Sequence, residues 1–431
     1  MFKKICVIGM GYIGLPTAST FAIHGVQVVG VDVNPSVLQA LNSGNVHIQE
    51  PGLRALAEQA FASGNLRLSA EPEPADAFII AVPTPAAPPA AGGDPQAELG
   101  AVVAASEAIL PHLKAGDLVM LESTCPPRTT LDLVAPILEH SGLRAGTDFL
   151  LAYSPERVLP GRILQELTEN ARVIGGVTPA SAEAGRELYG LFVRGEIVLT
   201  DATTAEMVKL MENTTRDVSI AVANEFARLA EQVGVDVWEA IALANRHPRI
   251  HILRPGPGVG GHCVSVDPWF LVQAVPGQAE LIRTARRVND GQPRHAARLI
   301  ERALGGLAQR RIAGLGLAYK PDVDDLRESP ALEVARLLAE AGAAVRTYEP
   351  YTPERTAPGA QTASSLEEAL QGAQAVVLLV DHRAFRELDP GRAAAAMPGR
   401  IAVDLRGVWQ PAAWSAAGFT LHTLGVGARR G

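Results

Sequence analysis

Near its start the chain reads Phe2-Lys3-Lys4-Ile5-Cys6-Val7-Ile8 and runs straight into Gly9-Met10-Gly11-Tyr12-Ile13-Gly14. A short apolar run followed by glycines at GxGxxG spacing reads as a strand, a tight turn and the start of a helix. Gly9 allows the turn, Gly11 lets a pyrophosphate come against the backbone, and Gly14 lets helix and strand pack closely. A phosphate there meets the helix N-terminus, where unpaired amides and the helix dipole favour an anion. Asp32 closes the second apolar run at about the distance this motif requires. Its carboxylate can accept from the hydroxyls of an adenosine ribose and repels a 2′-phosphate, so NAD is expected over NADP. A fold of this kind that holds no cofactor is the other reading of these residues.

Further apolar runs fall at 26–31, 77–82, 118–121, 149–152, 173–174 and 196–199, and segments such as 98–113 and 129–140 between them have helical periodicity. That alternation reads as a doubly wound parallel sheet. The Pro-rich piece 83–95 is then a loop at a strand's carboxyl end, the edge where such sheets bind ligands. Thr84, in Val82-Pro83-Thr84-Pro85, and Thr124, after Ser123, end strands on that edge. Each can hydrogen-bond a nicotinamide ribose or phosphate, or simply cap its strand.

From 202 to about 233 no strand interrupts. Met207, Leu210, Met211, Val218, Ala221, Val222, Phe226 and Leu229 recur at helical spacing, Thr200 or Asp201 can cap the start, and Gly234 can stop the end. A helix of roughly 30 residues, ~45 Å long, joins domains or builds an oligomer interface. Another helix is expected from 280 toward 304. Strands at 312–317, 344–348, 375–380 and 401–404 then alternate with helices at 331–341 and 365–372. With 431 residues, too many for one core, the expected layout is α/β: two Rossmann-like doubly wound domains joined by a long central helix. The expected boundaries are 1–200, 201–305 and 306–431.

Charge narrows the partners. The net charge is −8, charged residues are 19%, and no basic run exists, so a nucleic-acid partner is not expected. No stretch reaches the ~18 uninterrupted apolar residues of a membrane span, and glycines break the apolar run after Lys3 and Lys4 too early for a secretory leader. A cytoplasmic protein with no membrane partner is expected. The cysteines, Cys6, Cys125 and Cys263, are odd in number and lack CxxC spacing, so neither a disulfide framework nor a metal site is expected. Cys6 alternates within a central strand and reads as core, and Cys125 as structural.

Cys263 differs. It follows Pro257-Gly258-Val259-Gly260-Gly261-His262, a loop whose backbone can come very close to a ligand, and Asp267 stands four residues on. One reading is a buried structural thiol. The other is a nucleophile, which a dehydrogenase needs only when it oxidises past an aldehyde. On the long helix Lys209 and Asn213 are four apart on one face, with Arg216 on the next turn. An amine and an amide so placed can hold an alcohol and stabilise an oxyanion, or form a solvated face. Glu156, in Tyr153-Ser154-Pro155-Glu156-Arg157, can activate a water or form a surface ion pair. Arg246, His247, Arg249 and Arg254 supply the cations a diphosphate needs.

Seven pieces in order carry a resemblance: GMGYIGLP at 9–16, VPTP at 82–85, EST at 122–124, SPERVLPGRILQEL at 154–167, AEMVKLMENTTRDV at 205–218, ANRHPRIHILRPGPGVGGHCVSVDPWF at 244–270 and GLAYKPDVDDLRESP at 316–330. Together they resemble the UDP-glucose/GDP-mannose dehydrogenase family over essentially the whole chain. The resemblance implies an N-terminal NAD domain, a central dimerising helix and a C-terminal domain that contributes to a UDP-sugar site, in a homodimer. It implies four-electron oxidation of a sugar alcohol to a carboxylate with two NAD per sugar, in a route to surface polysaccharide. In it Cys263 matches the nucleophile, Lys209 the general acid/base, Asn213 and Asp267 the supporting polar residues, and Glu156 the glutamate of thioester hydrolysis. Gly9, Gly11, Tyr12, Ile13, Gly14, Asp32, Thr84, Thr124, Lys320 and Arg327 match cofactor contacts. Arg157, Val158, Lys209, Asn213, Arg216, His247, Arg249 and Gly260 match sugar-nucleotide contacts, with His247 and Arg249 reaching the partner subunit's site. The UDP-glucose branch has a second glutamate where this chain has Pro160, and different residues around the thiol. Both departures point to an N-acetylated hexosamine. UDP-N-acetyl-D-mannosamine is the expected substrate, with UDP-N-acetyl-D-glucosamine or UDP-glucose as alternatives, and a silent NAD-binding sensor or scaffold as the non-enzyme alternative.

Overall fold

A computed structural model of the chain describes residues 2–48, 50–87 and 93–427, so residues 88–92 of the Pro-rich segment lie outside the described residues. The chain forms two compact units. One is built from the chain up to Glu212 together with Trp269–Ala279, the other from Asn213–Pro268 and the chain from Glu280 on.

The first unit carries β1 (Lys4–Ile8), β2 (Gln27–Val31), β3 (Leu66–Ser69), β4 (Ala77–Ile80), a two-stranded ribbon of β5 (Ala86–Ala87) and β6 (Gln96–Ala97), then β7 (Leu118–Leu121), β8 (Leu150–Tyr153), β9 (Arg172–Gly176) and β10 (Ile197–Asp201). Eight of these form one sheet in the order β10-β9-β8-β7-β4-β1-β2-β3. Its central strands are apolar at consecutive positions because both faces are covered. Ile5 and Val7 of β1 pack into one core with Val28, Ile79 and Met120, whereas Cys6 and Ile8 pack into the opposite core with Val29, Phe78 and Val119. Cys6 is therefore core, as its position in the strand implied, and burial pushes its thiol up to about 11.

One feature departs from a purely parallel sheet. β9 pairs antiparallel with β8 while β10 stays parallel to β9, so the last two strands run against the other six. The helix expected over 129–140 also differs: it opens as a π-helix, Thr130–Val134, before becoming α-helical at Ala135–Glu139.

The second unit carries β11 (Arg311–Leu315), β12 (Ala344–Tyr348), β13 (Gln361–Thr362), β14 (Ala375–Leu378), β15 (Ile401–Asp404) and β16 (Thr420–Thr423), all parallel, in the order β13-β12-β11-β14-β15-β16. Numbered within its own half, this is the doubly wound order that β3-β2-β1-β4-β7-β8 also follows. The expected fold class, two Rossmann-like halves with a long helix in the middle, is what the chain adopts. That helix runs Ala202–Val233, 32 residues. Asp201 starts it by accepting from the Thr204 amide at 2.9 Å, and Gly234, at φ +79°, ends it. The expected helix after 280 is two, Glu280–Asp290 and Gln292–Leu304, broken at Gly291 with Pro293 in the first turn of the second. No helix among the described residues is long and apolar enough to cross a membrane.

Candidate active site

The carboxyl edge of the first sheet is shaped by the three glycines. The Gly9 amide donates to the Val31 carbonyl at 2.7 Å with Gly9 at φ +99°. A Cβ at Gly14 would stand 1.7 Å from the Gly9 carbonyl oxygen, but one at Gly11 would meet nothing within 4 Å. The loop is thus tight at its two ends and open at Gly11, the position a pyrophosphate needs. Ile13 precedes the helix Gly14–Ile23 without capping it through its side chain; the Leu15 amide donates to the Gly11 carbonyl at 3.2 Å and Pro16 has no N–H, so the amides before Leu15 are the ones that face an anion. Asp32 accepts from the Met10 amide at 3.0 Å and the Asn34 amide at 2.8 Å, which aims its half-buried carboxylate over the same loop. Thr84 donates to the Thr124 carbonyl at 2.6 Å and ties two strand-end loops together. These residues fit a dinucleotide.

The second sheet starts the same way and ends differently. The Gly316 amide donates to the Tyr348 carbonyl at 3.0 Å, as Gly9 does to Val31, and Glu349 takes the place of Asp32. Glu349, however, accepts from the Leu317 and Ala318 amides at 2.7 and 3.0 Å and pairs with His382 Nε2 at 3.0 Å, both side chains being fully buried. An acid so enclosed cannot reach a ribose. The dinucleotide site belongs to the first half alone.

Also on the first unit, Glu156 follows β8 and pairs with Arg172 at 2.6 Å, and Val158 is half-buried two residues on. Arg157, half-buried as well, pairs with Glu212 at 2.6 Å and donates to the Ala171 carbonyl. Lys209 lies on the long helix, 9% exposed, and its amine has no hydrogen-bond or ion-pair partner among the described residues. The turn below it is anchored by a residue the sequence reading passed over. The buried Glu206 carboxylate accepts from the Arg128 amide at 2.5 Å, the Thr130 amide at 2.7 Å and the Thr130 hydroxyl at 2.6 Å. Burial raises the Glu206 carboxyl above its usual range against these bonds. The start of the long helix is thereby fixed to the loop that carries Thr124.

In the second unit the Cys263 loop is held from below and from the side. Asn224 accepts from the Gly256 amide at 2.9 Å and Gln292 donates to the Gly256 carbonyl at 3.0 Å, which clamps the loop's start. Asn224 in turn donates to Asn289 at 2.9 Å, and Asn289 to buried Asp217 at 2.8 Å. The loop then presses against 319–330. A Cβ at Gly260 would stand 2.5 Å from the Glu328 carbonyl oxygen, and one at Gly261, at φ +85°, would stand 2.9 Å from the Tyr319 ring. The Gly261 amide donates to the Arg327 carbonyl at 3.1 Å. Half-buried Cys263 follows, its Sγ 2.9 Å from His262 Nδ1. Its carbonyl accepts from the Asp267 amide at 2.8 Å, and the Asp267 carboxylate, 2% exposed, accepts from the Asn213 side-chain amide at 2.5 Å. Thiol, acid and amide are thus joined in one local frame. Of the three cysteines, only Cys263 is accessible; Cys6 and Cys125 are buried.

Lys320 is half-buried in the segment beside the loop, and Arg327 pairs with Asp325 at 2.6 Å. Arg216, His247 and Arg249 are exposed, the latter two just past the helix Val237–Ala244. Arg254 is exposed as well. It donates to the Arg406 and Gly407 carbonyls at 3.2 and 3.3 Å and lies over the Trp238 ring, so it braces the loop after β15.

A nucleotide-binding doubly wound half, a partly exposed thiol on a clamped glycine loop and a second half of the same order define an NAD-dependent dehydrogenase. Residues 3–193 match the NAD binding domain of the UDP-glucose/GDP-mannose dehydrogenase family, 203–291 its central domain and 313–411 its UDP binding domain. The chain belongs to that family. It is 45% identical over 431 residues to a UDP-N-acetyl-D-mannosamine dehydrogenase of Methanococcus maripaludis, covering 99% of this chain and 98% of that one. It is 47% identical over 419 residues to an NDP-N-acetyl-D-galactosaminuronic acid dehydrogenase of Ralstonia solanacearum, covering 95% and 96%. The solved UDP-D-ManNAc dehydrogenase from Pyrococcus horikoshii superposes with a TM-score of 0.91 at 43% identity, over 99% of this chain and 100% of that one.

Proposed function

We propose that the protein oxidises UDP-N-acetyl-D-mannosamine to UDP-N-acetyl-D-mannosaminuronate, a four-electron reaction, as a cytoplasmic homodimer making a precursor of surface polysaccharide. Accessible Cys263, joined to Asp267 and Asn213, is the observation that carries the reaction type. The full-length likeness to UDP-D-ManNAc dehydrogenases supports the substrate. Bound NAD supplies the hydride acceptor for each oxidation, two per sugar.

The chain's own residues do the rest. The Lys209 amine takes the proton of the C6 hydroxyl as the aldehyde forms, and Asn213 donates N–H to the oxygen. The Cys263 thiolate adds to the aldehyde carbon, forming a C–S bond, and Lys209 with Asn213 stabilises the oxyanion. Loss of the second hydride leaves a thioester. Glu156 takes a proton from water, the new C–O bond forms, the C–S bond breaks, and the thiol returns with the carboxylate product. Asp267 holds Asn213 and the first helical turn after Cys263. Arg157, Val158, Arg216 and Gly260 contact the sugar nucleotide, with Lys320 and Arg327 beside the cofactor. His247 and Arg249, exposed on their own chain, reach the partner subunit's site. An exposed stripe on the long helix, Val222, Phe226, Leu229 and Val233, supports a homodimer.

The Ralstonia relative favours a second reading, an N-acetyl-D-galactosamine-type substrate. Comparing kcat/KM for UDP-ManNAc, UDP-GalNAc, UDP-GlcNAc and UDP-glucose with NAD decides it. A UDP-ManNAc value at least tenfold above the others is expected. A UDP-GalNAc preference moves the substrate to the second reading, and NAD binding without turnover of any sugar leaves a sensor.

A further inference from the structure

Reversal of the last two strands places an unusual residue at the functional edge. β9 begins with Arg172 and pairs with β8 through Ala152↔Gly176 and Tyr153↔Gly175. Carried past Tyr153, that register brings position 156 opposite position 172. The antiparallel direction therefore delivers the first residue of β9 to the carboxyl edge, where a parallel strand would present its last.

Arg172 there meets four side chains. Its Nη2 lies 2.6 Å from Glu156 Oε2, and its Nη1 donates to Ser154 Oγ at 3.0 Å and to Glu122 Oε1 at 3.2 Å. The guanidinium carbon stands 4.1 Å from the Tyr189 ring centroid, and the Tyr189 hydroxyl donates to the same Glu122 oxygen at 2.5 Å. The Arg157 amide holds the other oxygen of Glu156 at 2.8 Å. Arg172 is 5% exposed and Glu122 fully buried.

A guanidinium so deep needs its charge compensated at close range. Two carboxylates over-compensate it, so one must give way. Burial above all pushes Glu122 up to about 7, the Glu156 charge adds to that, and Arg172 opposes it. Glu122 Oε2 is buried without a hydrogen-bond partner, which gives the proton a place. Both Glu156 oxygens are fixed by N–H donors, Oε1 by the Arg157 amide and Oε2 by Arg172.

We infer that Arg172, backed by Glu122 and Tyr189, is a positioning residue that holds the Glu156 carboxylate in register for thioester hydrolysis. Glu122 sets how much of the guanidinium Glu156 receives. The inference rests on the reading of Glu156 as the hydrolytic base. None of these groups takes part in either oxidation, so damage to the relay slows the last step alone.

The test uses the full-length enzyme with NAD and UDP-ManNAc, or with the panel sugar it turns over best, under rapid mixing. NADH is followed over time and the intact protein mass is read at steady state. At about pH 8.5, above the Glu122 titration near 7, Glu122→Gln keeps shape and removes charge; Arg172→Lys keeps charge and removes the fork. Each is expected to give a burst of two NADH per subunit at the wild-type rate. Turnover afterwards is at least tenfold slower, with the uronyl adduct on Cys263 accumulating. If Arg172→Lys does not fold, Glu122→Gln decides alone. Burst and steady phases falling together, or neither changing, overturns the inference. Glu156→Gln is the control. If it accumulates the adduct and Glu122→Gln does not, only the positioning role fails. If Glu156→Gln accumulates none, the reading of Glu156 fails and takes this inference with it.

Discussion

Two alanines, three residues apart in one loop, should have opposite effects. At Gly14 a Cβ would stand 1.7 Å from the Gly9 carbonyl oxygen, and Cβ contacts inside 3.0 Å essentially do not occur, so helix and turn must part by about 1.3 Å. Both groups are backbone in a packed core, so about 3 kcal/mol or more is the expected cost. At ~2–4 °C per kcal/mol for a unit of this size, Gly14→Ala should lower Tm by about 6–12 °C. At Gly11 the Cβ enters open space at an ordinary φ. The fold gains slightly, if anything, from a less flexible unfolded chain. That same space is where the pyrophosphate has to lie, so Gly11→Ala should raise KM for NAD at least tenfold, about 1.4 kcal/mol, with Tm unchanged. Thermal melting without ligand and steady-state kinetics against NAD separate the two effects. A Gly11→Ala enzyme with its NAD KM within twofold of wild type would refute the cradle. A Gly14→Ala enzyme melting at the native temperature would refute the close packing.

Gly260→Ala places a Cβ 2.5 Å from the Glu328 carbonyl oxygen, so the loop must shift by about half an ångström just before the thiol. A displacement of that order is expected to lower kcat by ~10²-fold, and a kcat within twofold of wild type contradicts it. Phe226→Glu puts a charge into the exposed stripe of the long helix and should shift the sedimenting species toward monomer; an unchanged dimer means the interface lies elsewhere. Glu122 binds its proton more tightly folded than unfolded, about 7 against 4.5. Its contribution to stability therefore falls as pH rises from about 4.5 to about 7 and is flat above. Tm measured across that window should lose part of its slope in Glu122→Gln, and identical slopes would contradict the buried titration.

Much of the frame is legible because it is local. GxGxxG after an apolar run places Gly9, Gly11 and Gly14, and the long helix begins and ends where Asp201 and Gly234 said it would. The cysteine loop stands out because Gly258, Gly260 and Gly261 crowd one segment. What escaped is non-local or directionless. An apolar run such as Val173–Ile174 carries no sign of which way its strand runs, so the reversal of β9 and β10 was invisible. Edge strands such as β16, Thr420-Leu421-His422-Thr423, bury too little to form an apolar run. Glu122 and Arg172 are fifty residues apart, and only the register of three strands brings them together. The contact of Arg254 with the loop after β15 joins residues 152 positions apart, which no local pattern shows.

One thiol, Cys263, is expected to carry a sugar alcohol through two oxidations. Counting NADH formed per sugar consumed, with intact-mass analysis of the protein, tests it most directly. Two NADH per sugar are expected for the wild-type enzyme, with the wild-type thiol transiently acylated and Cys263→Ser stalled before free acid is released. One NADH per sugar, or a Cys263→Ala enzyme that still releases the acid at the wild-type rate, would contradict the claim and leave Cys263 a structural residue of its loop.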